Sequence, residues 1–337
     1  MEKMILGRTG LSVSRSAFGA LPIQRVPMAE AVPILRAAFE GGINFFDTAR
    51  GYQDSEAKIA EALSDVREGL FLATKTTAAG GESLRSDIEE SLRQLRTDYI
   101  DVFQFHVAKK CHAPGEPDGL YDEALRARDA GIIRSIGITA HRLPVALEAA
   151  KSGLYDTVQF PLSYLSSEDD VALVDLCRLN NVGFIAMKPL SGGIITDAGT
   201  AFVFMRGKEN ILPIWGIQRM EELRQFLEWE ANPPEFGEEM RARIARDREE
   251  LSGSFCRGCG YCLPCAADIE IPWLARMPQI LRRMDPRAFM TDEWREKMER
   301  AADCTGCGAC RSRCPYDLDP PELLRVARED YAAFTLD

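Results

Sequence analysis

Four residues of this chain stand where short apolar runs stop, and their types suit one reaction. Asp47 ends the run Ile43-Asn44-Phe45-Phe46, Tyr52 follows five residues later, Lys75 ends Leu70-Phe71-Leu72-Ala73-Thr74, and His106 ends Tyr99 to Phe105. Reducing a carbonyl requires a proton on its oxygen as negative charge develops there. A tyrosine hydroxyl can supply it if its pKa, ordinarily about 10, is brought nearer the working pH. A neighbouring ammonium does this by stabilising phenolate, which is the part expected of Lys75. Asp47 would keep that lysine charged and placed, while His106 would orient the substrate oxygen or relay the proton. Singly, each residue has an ordinary explanation as a helix cap, a self-satisfied ion pair, a core histidine or a rim tyrosine. Four at corresponding positions point to catalysis.

The elements that must position them alternate regularly. A hairpin around Arg8-Thr9-Gly10 and a strand ending near Phe18-Gly19 precede a helix over Met28 to Glu40. Strand Ile43 to Phe46, helix Ser55 to Leu63, strand Leu70 to Thr74, helix Ser83 to Leu95 and strand Tyr99 to Phe105 follow, read from apolar periodicity and β-branched or aromatic runs. The pattern continues with helix Leu120 to Ala130, strand Ile132 to Ile138, helix Val145 to Lys151, strand Thr157 to Phe160 and helix Asp169 to Leu179. Strand Val182 to Met187, strand Ile211 to Ile217 and helix Met220 to Glu230 complete it. Eight strands alternating with helices predict an α/β fold, a (β/α)8 TIM barrel over residues 1–234, with all four residues at one mouth. A doubly wound sheet would carry a Gly-rich fingerprint after its first strand, and Phe18-Gly19-Ala20-Leu21-Pro22 is not one.

These residues resemble the aldo-keto reductase family. The likeness covers roughly residues 3–230 and rests on Asn44 to Ala49, Gly51-Tyr52, Ala73-Thr74-Lys75, Asp98 to Asp101 with Gln104-Phe105-His106, Ile136 to Thr139, and Lys188-Pro189-Leu190. It implies catalytic Asp47, Tyr52, Lys75 and His106 working with NADPH, NADH being the alternative, on a small carbonyl or alcohol. It also implies that Gly19 and Ala20 face the cofactor, that Thr139 and Gln159 hold the nicotinamide carboxamide, and that Met187 and Lys188 lie by the ring. Leu190, Gly192 and Gly193 would line the pyrophosphate, with Gly216, Gln218, Arg219 and Glu222 at the adenosine end and Arg219 the candidate for a 2′-phosphate. The barrel's general phosphate site after its last two strands agrees. The chain departs from the family pattern in three places: Met187 replaces a stacking tyrosine, and Ala140 and Phe226 replace asparagines.

Composition bounds the rest. The chain has 337 residues, 46% of them hydrophobic, enough for a large core and a second unit over residues 235–337. A net charge of -11 argues against nucleic acid as a partner. No apolar run approaches the roughly 20 residues that span a bilayer, and the start lacks a signal peptide's apolar segment, so a cytoplasmic protein without membrane association is expected.

Of ten cysteines, eight fall in two tight groups, Cys256-x-x-Cys259-x-x-Cys262-x-x-Cys265 and Cys304-x-x-Cys307-x-x-Cys310-x-x-x-Cys314-Pro315. Such grouping means metal rather than disulfides, and the second spacing is that of bacterial ferredoxins. In two-cluster ferredoxins the fourth thiolate comes from the distant motif. Cys256, Cys259, Cys262 and Cys314 would then hold one [4Fe-4S] cluster, and Cys304, Cys307, Cys310 and Cys265 the other. Zinc is the alternative ligand. The segment between the motifs, Ile271 to Ala302, is mostly helical in composition, so the tail resembles α-helical dicluster ferredoxin modules, which a subset of aldo-keto reductases also carries. The charged stretch Glu235 to Leu251 reads as a solvated connector helix.

Together these features predict a hydride-transferring oxidoreductase with two clusters and a redox protein partner. Two other readings stay open: an electron carrier with an idle barrel, and a zinc-stapled carbonyl reductase.

Overall fold

The structure, a computed structural model, describes residues 1–251 and 255–336. It begins with an antiparallel hairpin of β1 (Lys3–Ile5) and β2 (Ser12–Ser14), whose buried Leu6 and Val13 join one core cluster with Ala17, Phe45, Ala73, Val102, Ile185, Leu212 and Ile214. The hairpin therefore plugs one end of the structure that follows. That structure runs β3 (Ala17–Gly19), α1 (Met28–Glu40), β4 (Phe45–Asp47), α2 (Ser55–Leu63), β5 (Phe71–Thr76), α3 (Gly81–Leu95), β6 (Ile100–Phe105) and α4 (Leu120–Asp129). It continues through β7 (Ile133–Thr139), α5 (Leu143–Ser152), β8 (Thr157–Pro161), α6 (Glu168–Leu179), β9 (Gly183–Met187), α7 (Ala198–Arg206), β10 (Ile211–Gly216) and α8 (Met220–Ala231). The eight strands β3 to β10 are parallel and close into a barrel, β10 pairing back onto β3.

Each helix buries one stripe against this barrel. In α1 the buried residues are Ala31, Ile34, Leu35 and Ala38, and in α3 they are Leu84, Ile88, Ser91 and Leu95, both at helical spacing. A reciprocal Ser167–Asp170 capping box starts α6. One α-helix of the barrel had no counterpart in the sequence reading: α7, between the strands β9 and β10.

The chain divides into two compact units, Met1–Pro189 with Gly199–Gly237, and Leu190–Ala198 with Glu238–Asp337. The second unit thus includes a segment that the sequence alone reads as part of the barrel. Its helices are α9 (Glu238–Glu250), α10 (Ile271–Leu274), α11 (Met277–Arg283), α12 (Asp292–Glu299), α13 (Ala309–Arg313) and α14 (Pro320–Ala333). The stretch expected to be mostly helical is broken into short pieces, and α14 packs across α10 to α13 with Leu324, Ala327 and Tyr331 buried. The helix α9 is less purely solvated than its composition implies, since Ile244 is buried and Arg243, Asp247 and Glu250 all make ion pairs. No helix among the described residues is long and apolar enough to cross a membrane.

Candidate functional site

Strand periodicity aims the polar residues. Side chains two apart share a face, so Asp47 follows Phe45, Lys75 follows Ala73 and Gln104 follows Val102 into the barrel interior, where the three apolar residues belong to one core cluster. Their register is consistent: Asp47 lies opposite Ala73 and Lys75 opposite Gln104. The result is a wholly buried ion pair, Lys75 Nζ donating to Asp47 Oδ2 at 2.6 Å and to the Thr48 carbonyl at 2.6 Å. The second Asp47 oxygen accepts from Gln104 Nε2 at 3.3 Å. Burial raises the Asp47 pKa, and the Lys75 ammonium with the Gln104 and Gln159 amides opposes that rise.

After Asp47 the chain keeps pairing alongside β5, Thr48 donating to the Ala73 carbonyl and Arg50 to that of Lys75. A turn closed by Tyr52 N donating to Ala49 O at 3.0 Å then returns Tyr52 to the lysine. Its ring centroid is 5.1 Å from Lys75 Nζ and 5.7 Å from the His106 ring, edge-on at 79°. His106 is fixed at the end of β6 by its N–H on the Thr76 carbonyl at 2.7 Å. All four predicted catalytic residues therefore meet at one mouth.

One expectation needs correction. Lys75 does pull the Tyr52 pKa down, but burial outweighs it and the phenol ends above its ordinary value. His106 is pushed down to about 3, first by burial and then by the Lys75 charge. His141 is likewise held well below its ordinary value by burial, with Lys188 and His106 adding to the effect, so a second neutral imidazole stands in this region.

Sequence reasoning gave no role to Gln104. Its signal was available, as a polar amide in a strand whose every residue is buried. Nor was a second network foreseen, in which Glu56 accepts from Thr74 Oγ1 at 2.7 Å and Ser91 Oγ at 2.8 Å and pairs with Arg50.

The expected dinucleotide residues are distributed as follows. Gly19 and Ala20 are buried at the end of β3, and Ala20 N donates to the Asp47 carbonyl. Gln159 lies opposite Thr139, and its buried Oε1 has no hydrogen-bond partner among the described residues. Thr139 Oγ1 accepts from Val107 N at 2.8 Å. Met187 is half-buried against the barrel core, and Lys188 takes a left-handed φ of +58°. Leu190 accepts from Gly193 N and Ile195 N in a tight turn containing left-handed Gly192 and Gly193. Gly216 is exposed, and Glu222 gathers Gln218 N, Arg219 N and the Arg219 side chain onto one carboxylate. Phe226 is core, stacked on Trp215 at 4.5 Å, and Ala140 is fully buried.

In the second unit, Cys256, Cys259, Cys262 and Cys314 line one small cavity, with Ile271, Ala275, Leu318 and Leu323 among its apolar walls. Burial pushes the Cys262 thiol up to about 12 and raises Cys256, whose sulfur accepts from Gly258 N at 3.4 Å. Thiols so placed ionise only when a metal centre compensates them, which suits the chemistry of a cluster. Cys304 and Cys307 lie close enough to Cys310 to affect its ionisation, and Cys310 in turn affects Cys262. Cys307 is exposed, its thiol held below the usual range by the Ala309 N–H and the Thr305 hydroxyl. Pro264, next to Cys265, accepts from Arg313 Nη1 at 3.3 Å. Both groups read Cys-x-Gly-Cys-Gly-x-Cys, and the four glycines Gly258, Gly260, Gly306 and Gly308 all have positive φ, bending the backbone as few other residues can.

Fold and site define a class: a (β/α)8-barrel oxidoreductase with an appended, helical iron–sulfur unit. A family model described as the aldo/keto reductase family matches residues 15–209, and the chain belongs to that family. A model of the 4Fe-4S dicluster domain matches residues 255–319, which displaces the zinc reading. The chain is 34% identical over 225 residues to L-galactose dehydrogenase of Arabidopsis thaliana, covering 59% of this chain and 68% of that one. It is 28% identical over 292 residues to 6-dehydroglucose reductase of Novosphingobium aromaticivorans, covering 78% and 94%. Among solved structures, the holo form of an aldo-keto reductase from Bacillus halodurans aligns with a TM-score of 0.64 at 22% identity, over 73% of this chain and 96% of that one. An aldo-keto reductase from Klebsiella pneumoniae, in complex with NADP and acetate, aligns with a TM-score of 0.60 at 20% identity, over 73% and 94%.

Proposed function

We propose that the protein is an NADPH-dependent reductase of small aldehydes or ketones that also runs in reverse on the alcohols, with NADH the alternative donor. The observation that carries this reading is the buried Lys75–Asp47 pair beside Tyr52 and His106. The unpartnered Gln159 Oε1 suits the N–H donors of a nicotinamide carboxamide. Bound there, the reduced nicotinamide would supply the hydride. Tyr52, a protonated phenol at neutral pH, gives its proton to the carbonyl oxygen as charge develops, and Lys75 stabilises the phenolate left behind. Asp47 and Gln104 hold Lys75 in place. His106, an uncharged imidazole, orients the substrate oxygen by a hydrogen bond rather than delivering a proton of its own.

Two relatives are named for sugars or their oxidised derivatives, which favours polyhydroxylated substrates. The clusters, one-electron centres, would serve a redox protein partner, since hydride moves two electrons together and no flavin motif bridges the two modes. Eight thiolates committed to iron fit a reducing compartment, hence the cytoplasm.

The test uses anaerobically purified protein containing about eight irons per chain, the content of two [4Fe-4S] clusters. NADPH should bind and be consumed with aldoses and simple aldehydes. Tyr52→Phe should lower kcat/KM by about 10²- to 10⁴-fold while leaving NADPH affinity within about twofold. Absence of NADPH binding would refute the dinucleotide site, and full activity in the variant would refute the proton donor.

A further inference from the structure

Neither hydride transfer nor thiolate ligation uses Arg276. Only 6% exposed, it donates from Nε to Pro272 O at 3.0 Å and from Nη1 to Gly192 O at 3.2 Å. That carbonyl lies in the Leu190–Gly193 turn. Gly258, between Cys256 and Cys259, packs against the same guanidinium: a Cβ there would fall 3.0 Å from Nη1, and one on Gly192 2.8 Å from it. Two left-handed loops, one bearing cluster cysteines and the other the turn, thus approach one cation.

Among the described residues no carboxylate pairs with Arg276. The contrast is Arg283, which also reaches this segment, donating to Ile194 O at 3.4 Å, but is neutralised by Asp247 and Glu250. A buried guanidinium without a carboxylate is costly unless an anion compensates it. Gly258, packed on the Arg276 guanidinium, donates its N–H to Cys256 Sγ at 3.4 Å. The nearest prospective anions are therefore a thiolate-bound cluster and a phosphate on the turn.

We propose that Arg276 is a positioning residue that serves both anions, so that adding an electron to the cluster held through Cys256 weakens dinucleotide binding, and dinucleotide binding lowers that cluster's potential. This rests on the dinucleotide reading above. Reduction adds one electron from an external reductant to the cluster, and with it one negative charge. Two anions then compete more strongly for one guanidinium. The coupling is reciprocal by linkage and requires no electron to pass between nicotinamide and iron.

The test uses the anaerobic holoprotein and 2′-phospho-ADP-ribose, which carries the pyrophosphate but cannot exchange hydride. Affinity is measured by calorimetry with the clusters oxidised and again after dithionite reduction, and the cluster potentials are titrated with and without the probe. Oxidised protein should bind about tenfold more tightly, equivalent to a potential lowered by about 59 mV for a one-electron couple. The difference should fall below about twofold in Arg276→Gln and return largely in Arg276→Lys, as expected for a role of charge rather than shape. Equal affinities in wild-type protein, or an undiminished difference in Arg276→Gln, would overturn the proposal. If Arg276→Gln does not load its clusters, an unmoved wild-type potential overturns the proposal and a lowered one supports it. Absence of probe binding in both states would overturn the dinucleotide reading, and this proposal with it.

Discussion

Burial sets the protonation states at the barrel mouth, and this fixes how activity and stability respond to pH. His106, pushed down to about 3, stays neutral from pH 8 to about pH 5, so it contributes no break to kcat/KM in that range. A break at about pH 6.5, the ordinary histidine value, that disappears in His106→Gln would contradict this. The same shift makes a stability prediction. The folded pKa lies below the unfolded one, so between them the unfolded state binds the extra proton. Stability therefore rises with pH through this window and is lost as pH falls from about 6.5 towards 3. Between pH 7 and 5 the urea midpoint should fall less in His106→Gln than in wild type, and equal slopes would mean that other groups carry the effect. A second prediction concerns Arg219. Glu222 already occupies the anion-favouring start of α8, accepting from Gln218 N at 2.9 Å and Arg219 N at 3.2 Å, so a 2′-phosphate at the proposed Arg219 contact would have to compete with a carboxylate. Glu222→Gln should improve NADPH affinity over NADH by about tenfold, at a capping cost of about 1 kcal/mol, and Arg219→Ala should weaken NADPH selectively. Parallel changes for both dinucleotides would refute it. The convergence of the four residues was legible because Asp47, Lys75 and His106 stand at the ends of strands and Tyr52 lies in the loop after the first of them. The raised Tyr52 pKa was not, since it depends on how far packing excludes water.

At the scale of elements, legibility followed amphipathic contrast. Strands buried as continuous apolar runs and helices with one apolar stripe were found within a few residues of their ends. Some helices were not. In α7, Thr200 is buried beside Ala201 and Phe202, which blurs the stripe, and α14 opens on Pro320-Pro321, which reads as a break although proline fits the first turn of a helix. The plugging hairpin shows what a short element can contribute. Gly7 has φ +49°, and a Cβ there would fall 2.2 Å from Gly183 N, whereas Gly10, at φ +69°, has nothing within 4 Å. Gly7→Ala therefore combines backbone strain with a clash against a β9 backbone that cannot give way. It should cost about 2 kcal/mol or more, against about 1 kcal/mol for Gly10→Ala, read from urea midpoints by tryptophan fluorescence. Equal costs would mean that strain alone acts and that the hairpin is not tightly seated.

At the scale of the molecule, the division of the chain does not follow its order. The eight grouped cysteines announced a second unit, but that unit also takes Leu190–Ala198 from the middle of the barrel sequence. No local pattern could reveal this, because it depends on partners far along the chain: Arg276 on Gly192 O, Arg283 on Ile194 O, Met284 against Gly193 and Arg243 on Asp197. Among the described residues, the unit's cysteine-bearing loops, 255–268 and 304–318, contain one regular element, the five-residue α13, and clusters bound there would order them, as metal sites coupled to folding do. The helices α11 and α14 bury Met277, Ile280, Leu281, Leu324 and Ala327 without them. Removing the clusters with ferricyanide and a chelator should therefore strip amide-exchange protection from both loops, while α11 and α14 keep most of theirs. Arg276 packs against Gly258 in the first loop, so the loss should spread to residues 190–198 and stop short of the strand before them, Gly183–Met187. Unchanged exchange over 190–198 would show that this segment is held independently of the clusters. Loss reaching Gly183–Met187 would show that the barrel itself depends on iron.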